Sequence, residues 1–404
     1  MTVAPRSAVR TGARPYPFGP AERLELHPMY QWVQEHEPLC RVRMPYGEEA
    51  WLVTRYEDVK TVLGDPRFGR AVAADHDEPR VTPDVVPMGL LDMDPPDHTR
   101  LRRLVAKAFT PRQVEQSRSR IAQVTEDLVT NMIATGPPVD LVRSIGLPLP
   151  ITIICDLLGV RYADRDQFET WVDGAMSTTA LTEQERGECF ANLAAYVQGL
   201  VGERRQEPTD DLVSVLTLAH DQGDRLTEGE LIFLILILLG AGYETTANQT
   251  GNFVYLLLTH PDQWRLLCQR PELVSGAVEE LLRFAPLGLN SAVPRYALAD
   301  VELSGGTVAA GEPVFAFTPA ANRDPRIFPD PDRLDITRPV TPHVAFGHGG
   351  HHCVGAPLAR LELQTFLAAL PRHLPGLRLA VEPDDLVWKT GGLVRGLTAL
   401  PVAW

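Results

Sequence analysis

Apolar and polar residues alternate along LCRVR (39–43) and EAWLV (49–53), with Tyr46-Gly47 between them. A period of two on either side of a turn predicts paired strands. From Arg55 the apolar spacing widens to the helical period, and Gly64 stops it. Residues 65–97 carry many Pro, Asp and Gly and no clear period, which predicts a long mobile loop. From Asp97 to about Leu282 the helical period holds almost throughout, with breaks at Gly136-Pro137-Pro138 and from Pro208 to Asp211. Alternation returns after Pro286. VELSGGTVAAGEPVFAF predicts one hairpin or two, and the tail from LRLAV to LTALPVAW predicts further strands. Residues 1–20 read as a flexible arm and 21–404 as one domain. The fold class is mainly α with small β-sheets, α+β.

One helical stretch departs from amphipathicity. LTEGELIFLILILLGAGYETTANQTGNFVYLLLTHP starts with Thr227 and Glu230 at capping-box spacing and runs to about Leu258. It is apolar on nearly every face and so is expected to be buried. Its middle nevertheless holds Gly240, Gly242, Glu244, Thr245 and Thr246. Two glycines cost roughly 1 kcal/mol each against alanine, and a buried carboxylate costs more unless partnered. A kink or a close helix crossing would explain the glycines. A groove beside a bound ligand, with an acid and a hydroxyl placed to move protons, would explain the whole set.

Charge and composition narrow the function classes. The chain has 404 residues and a net charge of −14, which argues against generic binding to nucleic acid or anionic membrane. The longest apolar run, Leu231–Leu239, falls far short of the roughly 20 residues of a membrane span. No secretory signal is evident. The five cysteines, at 40, 155, 189, 268 and 353, show no paired spacing, as expected of a reducing cytoplasm.

AFGHGGHHCVGAPLARLE (345–362) packs three histidines and Cys353 among glycines, then turns helical. Zinc wants four converging ligands, and adjacent side chains such as His351, His352 and Cys353 cannot easily converge on one ion. A nucleophilic Cys–His enzyme would need a distant histidine that nothing identifies. Gly347, Gly349 and Gly350 let the backbone turn tightly against something flat. Cys353 stands at a helix N-terminus, which favours thiolate. A thiolate under Phe346 suits a haem iron.

At this point the chain resembles the cytochrome P450 family, in its bacterial, actinobacterial form. FGHGGHHCVG matches the haem-binding signature F-x-x-G-x-x-x-C-x-G at Phe346, Gly349, Cys353 and Gly355. AGYETT (241–246) is similar to the oxygen-activation motif, and EELLR holds the E-x-x-R pair Glu280 and Arg283. PDRLDITR holds Arg333, expected as third member of that salt-bridge network, and HTRLR holds His98 and Arg102. Gly350 and Val354 stand where bacterial members usually carry an aliphatic residue and leucine.

The resemblance implies a single triangular helical body with the long helix lying over haem b (iron protoporphyrin IX), and Cys353 as axial thiolate. His98, Arg102, Arg295 and His351 are expected at the propionates, with Phe346, Gly347, Gly355 and Ala241 also touching the cofactor. Glu244 and Thr245 would deliver protons. The implied reaction inserts one oxygen atom from O2 into a C–H or C=C bond of an apolar secondary metabolite. C–C or C–O coupling, desaturation or a non-catalytic haem module are the alternatives. Val86, Met88, Leu90, Phe233, Ile237, Leu289, Asn290, Ala292, Leu393 and Val394 are expected to line the substrate pocket. A ferredoxin with its reductase would supply electrons, docking on the acid-free stretch 98–112 through Arg103, Lys107 and Arg112. A cytoplasmic monomer, binding neither nucleic acid nor membrane, completes the expectation.

Overall fold

Two strand-forming stretches meet early in the chain and seed the main sheet. The structure, a computed structural model, describes residues 12–19, 22–83, 85, 88–176, 181–221, 226–288, 293–390 and 394–404. Strands β1 (Arg14–Pro15), β2 (Leu39–Arg43), β3 (Glu49–Val53) and β4 (Phe68–Gly69) come first. They are followed by β5 (Val139–Asp140), β6 (Arg295–Ala297), β7 (Val301–Leu303), β8 (Gly306–Val308) and β9 (Pro313–Ala316), then β10 (Arg378–Leu379) and β11 (Pro401–Ala403). Six of them form one sheet in the order β1-β2-β3-β9-β6-β4. β2 and β3 pair antiparallel from Leu39 opposite Val53 to Arg43 opposite Glu49, around the Tyr46-Gly47 turn. β9 joins β3 in parallel, which needs a long crossover. That crossover is the helical body.

The helices are α1 (Pro28–His36), α2 (Tyr56–Gly64), α3 (Asp97–Ala106), α4 (Pro111–Thr135), α5 (Pro148–Leu158), α6 (Arg165–Met176) and α7 (Glu183–Gln206). Then come α8 (Leu212–Asp221), α9 (Glu228–Thr259), α10 (Pro261–Gln269), α11 (Val274–Phe284), α12 (Thr318–Ala321) and α13 (Ala356–His373). The largest apolar core joins α3–α5 and α7–α9 to α11 and α13. A smaller core lies between α2 and the sheet, and a third beside β1 and α1.

α9 is the axis of the body. Its capping box closes as the sequence predicts: Thr227 Oγ1 accepts from the Glu230 amide at 3.2 Å, and Glu230 accepts from the Thr227 amide at 2.7 Å. Its 32 residues span roughly 48 Å at 1.5 Å each. Every residue from Thr246 to Leu257 is buried, so this half has no solvent face. By length and composition alone α9 could cross a membrane. Packed against α5, α7, α8, α10 and α13, it is a core helix instead.

Two expectations change. The stretch 12–19 is not a loose arm: β1 pairs with β2, and Tyr16 is buried against Phe18, Tyr30 and Phe315. Aromatic burial outweighs the entropy of ordering so short a segment. Residues 1–11, 20 and 21 lie outside the described residues. Within 65–97 the described backbone is tied down by charge. Buried Arg70 pairs with Glu78 at 2.5 Å and with Asp92 at 3.0 Å, while Asp94 accepts from the amides of Arg70 and Ala71.

Candidate functional site

The cysteine loop is folded by its own backbone. The Gly347 amide donates to Val344 O at 2.9 Å, His352 N to Gly349 O at 3.1 Å, and Cys353 N to Phe346 O at 2.8 Å. Gly349 has φ +71°, and a Cβ there would fall 2.5 Å from Leu63 O and 2.6 Å from Gly64 Cα. Only glycine lets the loop lie this close to the end of α2. α13 then starts three residues after Cys353. Cys353 is open to the cavity, but the protein around it displaces enough water to push its thiol up, against the helix N-terminal expectation. The amides of Gly355 and Ala356 and the guanidinium groups of Arg102 and Arg360 pull it back down.

Cys353, Phe346 and Gly355 form one wall of a cavity of about 310 Å³, and Ala241, Gly242, Thr245 and Thr246 of α9 form another. Thr245 Oγ1 donates to Ala241 O at 2.7 Å, Asn248 to Glu244 O at 2.7 Å, and Thr250 to Thr246 O at 2.9 Å. These bonds back along the helix satisfy polar groups that would otherwise be stranded in a buried element. Gly242 serves a close crossing as well: a Cβ would meet Ile154 of α5 at 2.9 Å. Glu244 is half-buried and lies one position from the cavity-lining Thr245, outside the lining set itself.

Four basic side chains from three segments, α3, β6 and the loop itself, meet beside the cysteine. His98 on α3 and His351 lie with ring centroids 4.0 Å apart. Arg295 on β6 and Arg102 on α3 act electrostatically on both. Burial and the neighbouring cations drive the His351 pKa down to about 3 and lower that of His98. Burial likewise lowers Arg295 to about 10. His98 Nε2, His351 Nδ1 and Arg295 Nη1 are buried without a hydrogen-bond partner among the described residues. A buried guanidinium donor and two imidazole nitrogens left unpaired together are a costly arrangement unless an anion completes it. Arg102 donates to the His352 carbonyl and so holds the loop itself. Among the described residues no three His, Cys, Asp or Glu side chains gather as a metal cluster, which leaves zinc without a ligand set. One sulfur facing a cavity, with basic side chains and unpaired polar atoms beside the same loop, fits an iron porphyrin bearing two carboxylates.

The expected salt-bridge network is present, but with a different third member. Arg283 and Glu280 are 2 % exposed and pair bidentately at 2.7 and 2.8 Å. Arg283 also donates to the carbonyls of Asn322 and Pro331. Arg333 is not in this network: its side chain is 69 % exposed, and only its carbonyl accepts from Arg283 and Arg338. Arg338 takes the place, with Nε 3.2 Å from Glu280 Oε1. Both arginines lie in PDRLDITR, and the turns at Asp330 and Asp335 decide which points inward.

None of the expected pocket residues lines the cavity of Cys353 and Ala241 among the described residues; Met88 and Leu90 flank Gly89, which closes on Phe233 and Ile237 of α9. Val394 bridges to Gly288, on the cavity wall. Val86, Leu289, Asn290, Ala292 and Leu393 lie outside the described residues. Phe109, Gln249 and Leu358, which carry no motif, also line the cavity. Arg103, Lys107 and Arg112 are exposed, on the segment whose Arg102 holds the cysteine loop.

The profile of the family described as Cytochrome P450 matches residues 20–270 and 263–375. The chain is 53% identical to a mycinamicin IV hydroxylase/epoxidase of Micromonospora griseorubida, over 97% of this chain and 98% of that protein. It is 50% identical to a nocardicin C N-oxygenase of Nocardia uniformis subsp. tsuyamanensis, over 98% of this chain and all of the relative. A solved structure of a mutant of the mixed-function P450 MycG in complex with mycinamicin IV superposes with a TM-score of 0.92. That structure is 53% identical and covers 97% of this chain and 100% of its own.

Proposed function

The chain belongs to the cytochrome P450 family and is a monooxygenase of the secondary-metabolite tailoring kind, and from that premise we propose how its residues divide the work. Cys353 would hold haem b through its sulfur. His98, Arg102, Arg295 and His351 would hold its carboxylates in charge-assisted hydrogen bonds, which are stronger than neutral ones. When bound, the haem supplies an electron-rich iron that activates O2 and favours O–O cleavage. Thr245 has its own proton committed to Ala241 O, so its lone pairs are left to accept from a water in the cavity. Glu244 relays protons from solvent toward that hydroxyl.

The substrate is a medium or large apolar natural product, held over Ala241 by Met88, Leu90, Phe233, Ile237 and Val394. The named relatives act on mycinamicin IV and nocardicin C, and a substrate of comparable class suits an aliphatic pocket with few charges. Electrons come from a ferredoxin and its reductase. The protein works as a cytoplasmic monomer.

The observation that carries this reading is the pairing of Cys353 across a cavity from Ala241 and Thr245, with the unpaired polar atoms of His98, Arg295 and His351 beside the same loop. Reduced, CO-bound protein is expected to show the far red-shifted Soret band of thiolate haem. Cys353→His should move that band to the globin-like position and abolish oxygenation. An unchanged spectrum in the variant would refute the assignment. Spin-state titration against a library of natural products then identifies the substrate class.

A further inference from the structure

Neighbouring glutamates on α11 have separate fates. Glu280 turns to Arg283 and Arg338. Glu279 turns instead toward the cysteine loop, and its carboxylate takes three hydrogen bonds from two places in the chain. Arg360 Nε donates to Oε1 at 2.7 Å and Arg360 Nη2 to Oε2 at 3.0 Å. His343 Nε2 lies 3.1 Å from Oε2. The tautomer of His343 follows from its other nitrogen: the Ala345 amide donates to Nδ1 at 3.2 Å, so the ring proton sits on Nε2 and points at Glu279. His343 precedes Cys353 and Arg360 follows it on α13. One carboxylate on a third element therefore joins both flanks of the loop.

The clamp also reaches the wall of the cysteine. The Arg360 guanidinium stacks 4.6 Å from the centroid of Phe346, whose carbonyl accepts from the Cys353 amide. A bidentate carboxylate fixes the plane of that guanidinium, and a fixed plane is what a cation–π contact requires. His343 is 3 % and Glu279 16 % exposed, so the contacts are little weakened by water. Most other bonds in the loop are local backbone bonds, and the Asn322 side chain holding the Val344 amide is a further anchor from outside it.

We propose that Glu279 is a positioning residue for Cys353, clamping both flanks of the cysteine loop through His343 and Arg360 and holding Arg360 over Phe346. The inference rests on the reading of Cys353 as haem ligand. Glu279→Gln keeps the shape of the side chain but removes its charge and turns one acceptor oxygen into a donor facing donors. Haem content and substrate-induced spin shift should stay close to the parent. In the ferrous–CO holoenzyme, conversion of the red-shifted thiolate band to its shorter-wavelength successor should speed up about tenfold, the factor that losing one charge-assisted hydrogen bond supplies. Amide hydrogen exchange across residues 344–355 should rise in the same sample, a readout independent of turnover.

Arg360→Lys retains the positive charge but loses the fork and the stacked plane. It should move both readouts in the same direction. Its effect should be far from additive with Glu279→Gln, because both break one coupled unit. A band lifetime within roughly twofold of the parent, with unchanged exchange, would overturn the clamp. So would full additivity in the double variant. Should Glu279→Gln fail to take up haem, Arg360→Lys alone decides by the same two readouts. A parent protein lacking the red-shifted band would instead overturn the assignment of Cys353, and the two failures are thereby distinguished.

Discussion

Thr245 keeps its helical bond to Ala241 O while facing the cavity, a position from which it can position water without holding any part of the fold. Thr245→Ala is therefore expected to leave haem uptake and substrate binding intact. Product formed per NAD(P)H consumed should fall by about a hundredfold, the lower end of what positioned proton transfer contributes, with peroxide taking up the difference. Equal coupling in variant and parent would remove Thr245 from proton delivery. Glu279 gives a residue-scale prediction of another kind. His343 and Arg360 outweigh its partial burial and hold its pKa at about 2, below the ordinary value of 4.5. A depressed carboxylate contributes stability that is present above its unfolded pKa and lost as pH falls through its folded one. The parent should thus lose stability between about pH 4.5 and 2, and Glu279→Gln should flatten that part of the curve. Urea midpoints of the holoenzyme across this range check it.

Elements meet where α11, α12 and the PDRLDITR turn converge. Glu280 and Arg283 are buried together, so removing one partner leaves an uncompensated charge at a cost of about 3–5 kcal/mol. Arg283→Leu should yield little folded, haem-loaded protein. The two outer arginines separate the sequence expectation from the structure. Arg338 makes a charge-assisted contact to buried Glu280, and Arg338→Ala should cost about 1.5–3 kcal/mol. Arg333 stands in solvent, and Arg333→Ala should stay within about 0.5 kcal/mol. Denaturant midpoints of the two variants decide between them, and the reverse order would restore Arg333 to the network.

For the molecule as a whole, charge is distributed against the average. Net charge is −14, yet residues 98–112 contain five basic residues and no acid. Arg100 is spent on Glu230 and Arg102 on the cysteine loop. Arg103, Lys107 and Arg112 face solvent. Beyond a Debye length of about 8 Å the acidic remainder is screened, so this patch can steer an acidic ferredoxin. Arg103→Glu should slow reduction by ferredoxin several-fold with little change in haem spectrum or substrate affinity. Reduction of the parent should also slow as salt rises. Insensitivity to both would place the donor on another face.

What the sequence determined by itself is what short spacing can encode. The capping box at Thr227 and Glu230, the strand pair around Tyr46-Gly47, the i,i+3 pair of Glu280 and Arg283, and the glycine-rich loop before Cys353 each depend on residues a few positions apart. Long-range choices were not written locally. Arg333 and Arg338 share one octapeptide, and only the packing of its turns against α11 selects the second. Tyr16 sits in a Pro- and Arg-rich stretch that reads as an arm, and only the aromatic cluster around it shows why it is ordered. Glu279 and Glu280 are identical neighbours, but successive helical side chains point about 100° apart. One therefore enters the core network and the other grips the cysteine loop, because α13 and the 343–346 segment pass on that second side.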